Sequence, residues 1–183
     1  MRGRWAHSTF QFYAAGCLCM FVASSEYAQS FSQWDADTRS AVRLLEARSR
    51  VELGVTIRRA GIEIKLHPGW KTYGRDPGDS GVPPVFDFSG SENIKSVTVR
   101  WPAPERISEG AGYYFLGYKD GVVFPLHVVP KDEKKPVMLR LKLDYAVCES
   151  LCVPAKAKVE LVLTGKGDEV SEALLSAAES RVP

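Results

Sequence analysis

The chain has 183 residues, 45% of them hydrophobic and 25% charged, with a formal net charge of +2. That length and apolar content allow one domain with a real core. The near-neutral balance gives no electrostatic case for nucleic acid or for an anionic membrane surface as a partner.

The N-terminus reads as an export signal. Arg2 and Arg4 precede an apolar run over residues 10–23, broken only by Gln11 and too short to span a bilayer comfortably. Ser24-Ser-Glu-Tyr-Ala-Gln-Ser30 follows as a polar segment with small residues at Ala28 and Ser30, and cleavage is expected after Ser30. Residues 1–30 are therefore assigned to a signal peptide, 31–166 to the folded domain and 167–183 to a C-terminal helix and tail. A lipoprotein cut at Ala14-Ala-Gly-Cys17 is the rival, but it lacks the usual leucine, and the apolar run continues past it. Simple cleavage discards Cys17 and Cys19 and leaves Cys148 and Cys152 in an oxidising compartment. No later segment is long and apolar enough to be a membrane helix.

From about Ser40 the chain reads as short strands with turn punctuation, the pattern of a β-sandwich. Residues 41–47 fit a strand or a short helix. Ile62-Glu-Ile-Lys-Leu66 alternates cleanly and stops at Pro68-Gly69. Residues 70–90 are rich in turns, since Pro77-Gly78, Gly81 and Pro83-Pro84 break any regular element. Residues 94–101 alternate again, with Val97 and Val99 on one side. Residues 113–118 and 122–129 are expected to form a hairpin about Lys119-Asp120-Gly121. A charged loop over 130–136 leads to a strand in which Val137, Leu139, Leu141 and Leu143 face one way. Val159, Leu161 and Leu163 alternate in the same manner. At the end, Asp168 is placed to cap a helix running through Val170, Leu174, Leu175 and Ala178, which packs on the sandwich or frays.

Between the last two strands lies Tyr145-Ala-Val-Cys-Glu-Ser-Leu-Cys-Val-Pro154. Residues four apart on one straight strand are about 13 Å apart, whereas a disulfide needs Cα atoms within about 7 Å. The pair closes only if Glu149-Ser150-Leu151 turns the chain and sets the cysteines opposite each other, with Cα atoms roughly 4.5–5.5 Å apart. As a staple, a loop of about five residues contributes roughly 2 kcal/mol, a modest return for a domain of this size. A short-range pair at a loop tip is better suited to exchange with another protein. Metal binding is the third reading. It lacks ligands near the pair, since His67 and His127 are distant in sequence and Met138 is the one soft candidate. Lys156 and Lys158 would favour a thiolate and Glu149 would oppose it. These readings stay open on spacing alone.

Trp70, Tyr73, Phe86, Phe88, Trp101, Tyr113, Tyr114, Phe115 and Tyr118 are read mainly as core or edge packing. His67, before Pro68, reads as a turn residue. Ser80 in Gly78-Asp-Ser-Gly81 has no base placed near it, and glycine explains the segment as a turn.

Several motifs in one order do carry a resemblance. His67-Pro-Gly-Trp-Lys-Thr-Tyr73, Asp76-Pro-Gly-Asp-Ser-Gly-Val-Pro-Pro84, Phe86-Asp-Phe-Ser-Gly-Ser-Glu-Asn93, Trp101-Pro-Ala-Pro104 and the cysteine segment together resemble the N-terminal periplasmic domain of the DsbD and ScsB thiol:disulfide reductases. The likeness covers residues 41–164. The pattern carries tryptophan where this chain has Gly74, and often where it has Phe88.

The resemblance implies a mainly β, immunoglobulin-like β-sandwich with a short C-terminal helix. It implies a periplasmic protein-disulfide reductase or electron-transfer module that requires no cofactor and no metal. Cys148 and Cys152 match the redox pair, with attack assigned to Cys152 and resolution to Cys148. Tyr113 and Tyr114 are the candidates for an aromatic cap loop. The partners implied are a membrane-embedded or thioredoxin-like electron donor and periplasmic proteins bearing disulfides, in a circuit of the kind that serves cytochrome c biogenesis. Family members continue into a transmembrane domain and a thioredoxin-like domain, so this chain is expected to act as a detached module. The alternatives are a non-catalytic interaction module with a structural disulfide, or a copper-handling protein.

Overall fold

The computed structural model describes residues 29–78, 81–110 and 113–183. The expected leader up to residue 28, with Cys17 and Cys19, lies outside the described residues, as does Ser80. Ser30 is inside the fold: it is buried, and its carbonyl accepts the Glu46 N–H at 2.7 Å.

The described residues form two packed antiparallel sheets. The first contains β1 (Asp35–Ala36), β2 (Ser40–Glu46), β3 (Arg50–Glu52), β4 (Val55–Leu66), β7 (Ile94–Val99) and β10 (Gly121–Pro130), in the order β1-β2-β4-β10-β7, with β3 paired to β4. The second contains β5 (Lys71–Tyr73), β6 (Val85–Asp87), β8 (Glu105–Gly110), β9 (Tyr113–Lys119), β11 (Val137–Cys148) and β12 (Cys152–Leu163). Its order is β12-β11-β5-β9-β8, with β6 on β11. Alternation drives this architecture. Val137, Leu139, Leu141 and Leu143 of β11 and Val159, Leu161 and Leu163 of β12 all enter the core, against Ile62, Ile64, Phe124 and Leu126 of the facing sheet. Phe86, Trp101 and Tyr118 meet Phe124 edge to face at 5.1–5.5 Å.

Of the two readings open for residues 41–47, strand is the one observed, over 41–46, because β2 pairs along β4 from Ser40↔Leu66 to Glu46↔Ala60. The expected hairpin changes. Residues 113–118 and 122–129 do not form a hairpin. β9 belongs to the second sheet and β10 to the first, and the chain crosses between them at Asp120, in the left-handed region at φ 61°. The crossing sets Tyr118 against Phe124 across the core instead of beside it. The turn-rich stretch over 70–90 also holds two short strands, β5 and β6, and β5 is central to its sheet.

Helix α1 (Glu169–Glu179) is capped by Asp168, whose carboxylate accepts the Ser171 N–H at 2.7 Å. It lies on the outside of the first sheet. Leu175 is buried against Leu45 and Ala47, over Gly61, where an added Cβ would stand 3.0 Å from a Leu175 methyl. Arg59 clamps the helix, donating to Glu172 at 2.5 Å and to Glu179 at 2.8 Å.

Candidate functional site

β11 and β12 pair without a break from Val137↔Leu163 to Cys148↔Cys152. Only Glu149, Ser150 and Leu151 remain to turn the chain, with the Glu149 N–H donating to the Leu151 carbonyl at 3.3 Å. The turn brings the two cysteines face to face, joined as a disulfide with Cα atoms 4.1 Å apart. The closure across a turn read from spacing is therefore observed, with the Cα atoms closer than the roughly 4.5–5.5 Å expected of a cross-strand pair.

The two sulfur-bearing residues sit in different surroundings. Cys148 is 2% exposed, because β5 pairs with β11 there, Lys71 opposite Cys148 and Thr72 opposite Val147. The Thr72 hydroxyl donates to the Ala146 carbonyl at 2.8 Å and ties the two strands together. Cys152 lies on the free edge of the sheet and is exposed. Beside it, at the loop tip, Leu151 is 73% exposed.

On the outer face of this sheet Cys148 joins a second small core with Tyr73, Ile107, Phe115 and Ala146. The Tyr73 ring packs edge-on to Phe115 at 5.0 Å, and its hydroxyl reaches the disulfide. A disulfide sulfur carries no hydrogen, so the Tyr73 O–H is the donor, 3.0 Å from Cys152 Sγ and 3.2 Å from Cys148 Sγ. The turn-rich segment covers this layer. The Leu116 N–H donates to the Pro77 carbonyl at 3.2 Å, and Gly81 lies so close that an added Cβ would fall 2.3 Å from Pro77 and 2.9 Å from the Tyr73 ring. Gly81 is required by space, against both the proline and the tyrosine.

The other residues singled out from sequence are distributed differently. Lys156 is ion-paired with Asp144 at 2.7 Å, and the Lys158 backbone N–H donates to Asp35 at 2.7 Å. Glu149 leans over the Gly69 turn, whose φ is 86°. Met138 pairs with Val162 at the far end of the hairpin, ten residues from Cys148 or about 33 Å along the strand, so it is not a ligand neighbour of the thiols. His67 is an exposed turn residue whose carbonyl accepts the Trp70 N–H at 3.0 Å. The side chain of Tyr113 lies outside the described residues. Tyr114 is 48% exposed, with the Arg106 guanidinium 3.6 Å above its ring. Tyr73 and Lys71 were not singled out as site residues in the sequence. Lys71-Thr-Tyr73 between Gly69 and Gly74 is too short to show an apolar alternation, and only strand pairing across 75 residues carries it to the cysteines.

A family described as thiol:disulfide interchange protein DsbD, N-terminal, matches residues 41–164. Among solved structures, the N-terminal periplasmic domain of ScsB from Proteus mirabilis is similar at 25% identity and a TM-score of 0.66. The match covers 84% of this chain and 60% of that one, so the chain spans about three-fifths of that structure. No curated protein matches the chain. No helix among the described residues is long and apolar enough to cross a membrane.

Proposed function

The chain belongs to the family of DsbD N-terminal domains, and from that premise we propose that it is an exported, periplasmic protein passing reducing equivalents through Cys148 and Cys152. The observation that carries the reading is the asymmetry of the pair: a buried Cys148 and an exposed Cys152 in one disulfide, with the Tyr73 hydroxyl on both sulfurs.

On arrival of electrons, a donor thiolate attacks Cys152 Sγ, the sulfur at the accessible edge. The Cys148–Cys152 bond breaks, its electron pair leaves on Cys148, and a mixed disulfide forms through Cys152. A second donor thiol releases the reduced domain. In the outward direction the Cys152 thiolate attacks a partner disulfide, and Cys148 then attacks Cys152 Sγ and expels the partner as a thiolate. Tyr73 donates its hydrogen bond to whichever sulfur carries charge. The donor is a membrane-embedded or thioredoxin-like protein, and the acceptors are periplasmic proteins with disulfides.

The test is the reduction potential of the Cys148–Cys152 pair against glutathione. An exchange-active pair lies above about −300 mV and a structural one below it. A value below that limit removes the proposal.

A further inference from the structure

On the outer face of the second sheet, charged side chains come in matched sets along most of the β11–β12 hairpin. Arg140 joins Glu92 at 2.7 Å and Glu160 at 3.1 Å, Lys142 faces Asp87 at 3.5 Å, and Lys156 faces Asp144 at 2.7 Å. The row at the disulfide breaks this pattern. The register runs Cys152, Cys148, Lys71, Lys119 across four strands, and directly opposite residues share a face. Neither lysine has an ion pair among the described residues. Lysines also stand opposite each other at Lys142 and Lys158, but there Lys142 has Asp87 beside it, whereas the Lys71–Lys119 pair ends at the disulfide. Lys71 is half-buried, its ammonium 5.4 Å from the centre of the Phe115 ring, which itself packs on Tyr73.

We propose that Lys71, with Lys119 behind it, stabilises the Cys148 thiolate through space and so makes Cys148 the sulfur that leaves when the disulfide is attacked. The inference rests on the exchange reading for its purpose, but its physical content is independent of any partner. Among the described residues, the charged and titratable groups in the Cys148 row are Lys71 on β5, directly opposite it, and Lys119 on β9, one strand beyond, with Tyr73 on β5 and Glu149 in the hairpin loop beside them. Glu149 opposes the two lysines and is drawn aside over the Gly69 turn. Lys156 on β12 is neutralised by Asp144. The balance at Cys148 is cationic. When the attacking thiolate bonds to Cys152 Sγ, the electron pair of the broken bond arrives on Cys148 Sγ, on the residue directly across the strand pair from Lys71, and no proton need be supplied first.

The test measures the Cys148 thiol in a Cys152→Ser background, from thiolate absorbance against pH. The same chain carrying Cys148→Ser and Cys152→Ser is subtracted, which cancels any other thiol. Lys71→Gln is expected to raise the Cys148 thiol pKa by about one, a tenfold loss of thiolate at a fixed pH below it. In the intact pair, at a pH above the thiol pKa of parent and variant, it should shift the glutathione equilibrium about tenfold towards the disulfide, since the reduced form there carries a Cys148 thiolate that loses its stabilisation. Lys71→Arg restores both values, and Lys119→Gln gives less than about threefold. Lys71→Met, which keeps an apolar stem over Phe115, must behave like Lys71→Gln. If Lys71→Gln and Lys71→Met leave the thiol pKa and the equilibrium within about twofold of the parent, the inference is overturned. A shifted thiol pKa in a protein that reduces no partner disulfide would sink the exchange reading and leave the electrostatic one standing.

Discussion

Tyr73 joins the second core to the disulfide, and it makes the sharpest prediction at the scale of single residues. Its hydroxyl is the donor nearest both sulfurs, at 3.0 and 3.2 Å. Tyr73→Phe keeps the ring against Phe115 and removes the donor. A hydrogen bond to a developing charge is worth about 1.5 kcal/mol or more, so reduction by dithiothreitol should slow about tenfold while the melting temperature moves little. An unchanged rate would show that the hydroxyl does not act on the leaving sulfur. The cysteines themselves were legible in the sequence, because four-residue spacing permits closure only across a turn. The cations near them were not. Lys156 and Lys158 are close in sequence, yet Lys156 is occupied by Asp144, while Lys71 comes from a strand 77 residues away from Cys148. Sequence proximity and spatial proximity diverge wherever a sheet pairs distant segments.

At the scale of elements, alternation served well where strands were long and failed where they were short. β11 and β12 announce themselves through twelve residues each. β5 has three, with no apolar alternation of its own, and only the backbone pairing with β11 and β9 makes it a strand. The crossing at Asp120 is the other instance. A glycine in a short linker fits a hairpin equally well, and it is the pairing of β10 with β4 that forces the change of sheet. Gly121 is at φ 151°, and an added Cβ would stand 2.5 Å from the Ile64 carbonyl oxygen. Gly121→Ala should therefore cost more than about 1 kcal/mol in urea unfolding, and a neutral result would contradict the crossing. The C-terminal helix was read correctly from its cap and its spacing. Leu175→Ala removes the side chain that fills the groove over Gly61 and should cost about 2–4 kcal/mol. If that loss is absent, the helix is not docked as described.

At the scale of the whole molecule, the sandwich is expected to fold without the disulfide. A loop of about five residues supplies roughly 2 kcal/mol, small against the buried sandwich, so the reduced protein should keep the same far-UV circular dichroism. Alkali should act on the core instead. Burial pushes the Tyr118 phenol up to about 12, with Arg181 opposing weakly, and its hydroxyl donates to the Pro102 carbonyl at 2.7 Å. A folded pKa above the unfolded value favours the neutral form. The contribution of Tyr118 is thus complete below about pH 10 and is lost as the pH rises from there to about 12. Tyr118→Phe should flatten that part of the stability curve.

The measurement that bears most directly on the exchange claim is capture through single cysteines in periplasmic extracts. Cys148→Ser leaves the exposed Cys152 to attack and removes the sulfur that would resolve the product. It should accumulate mixed disulfides that dithiothreitol disperses, and Cys152→Ser should accumulate none. Capture by neither variant, or by Cys152→Ser instead of Cys148→Ser, would contradict the account.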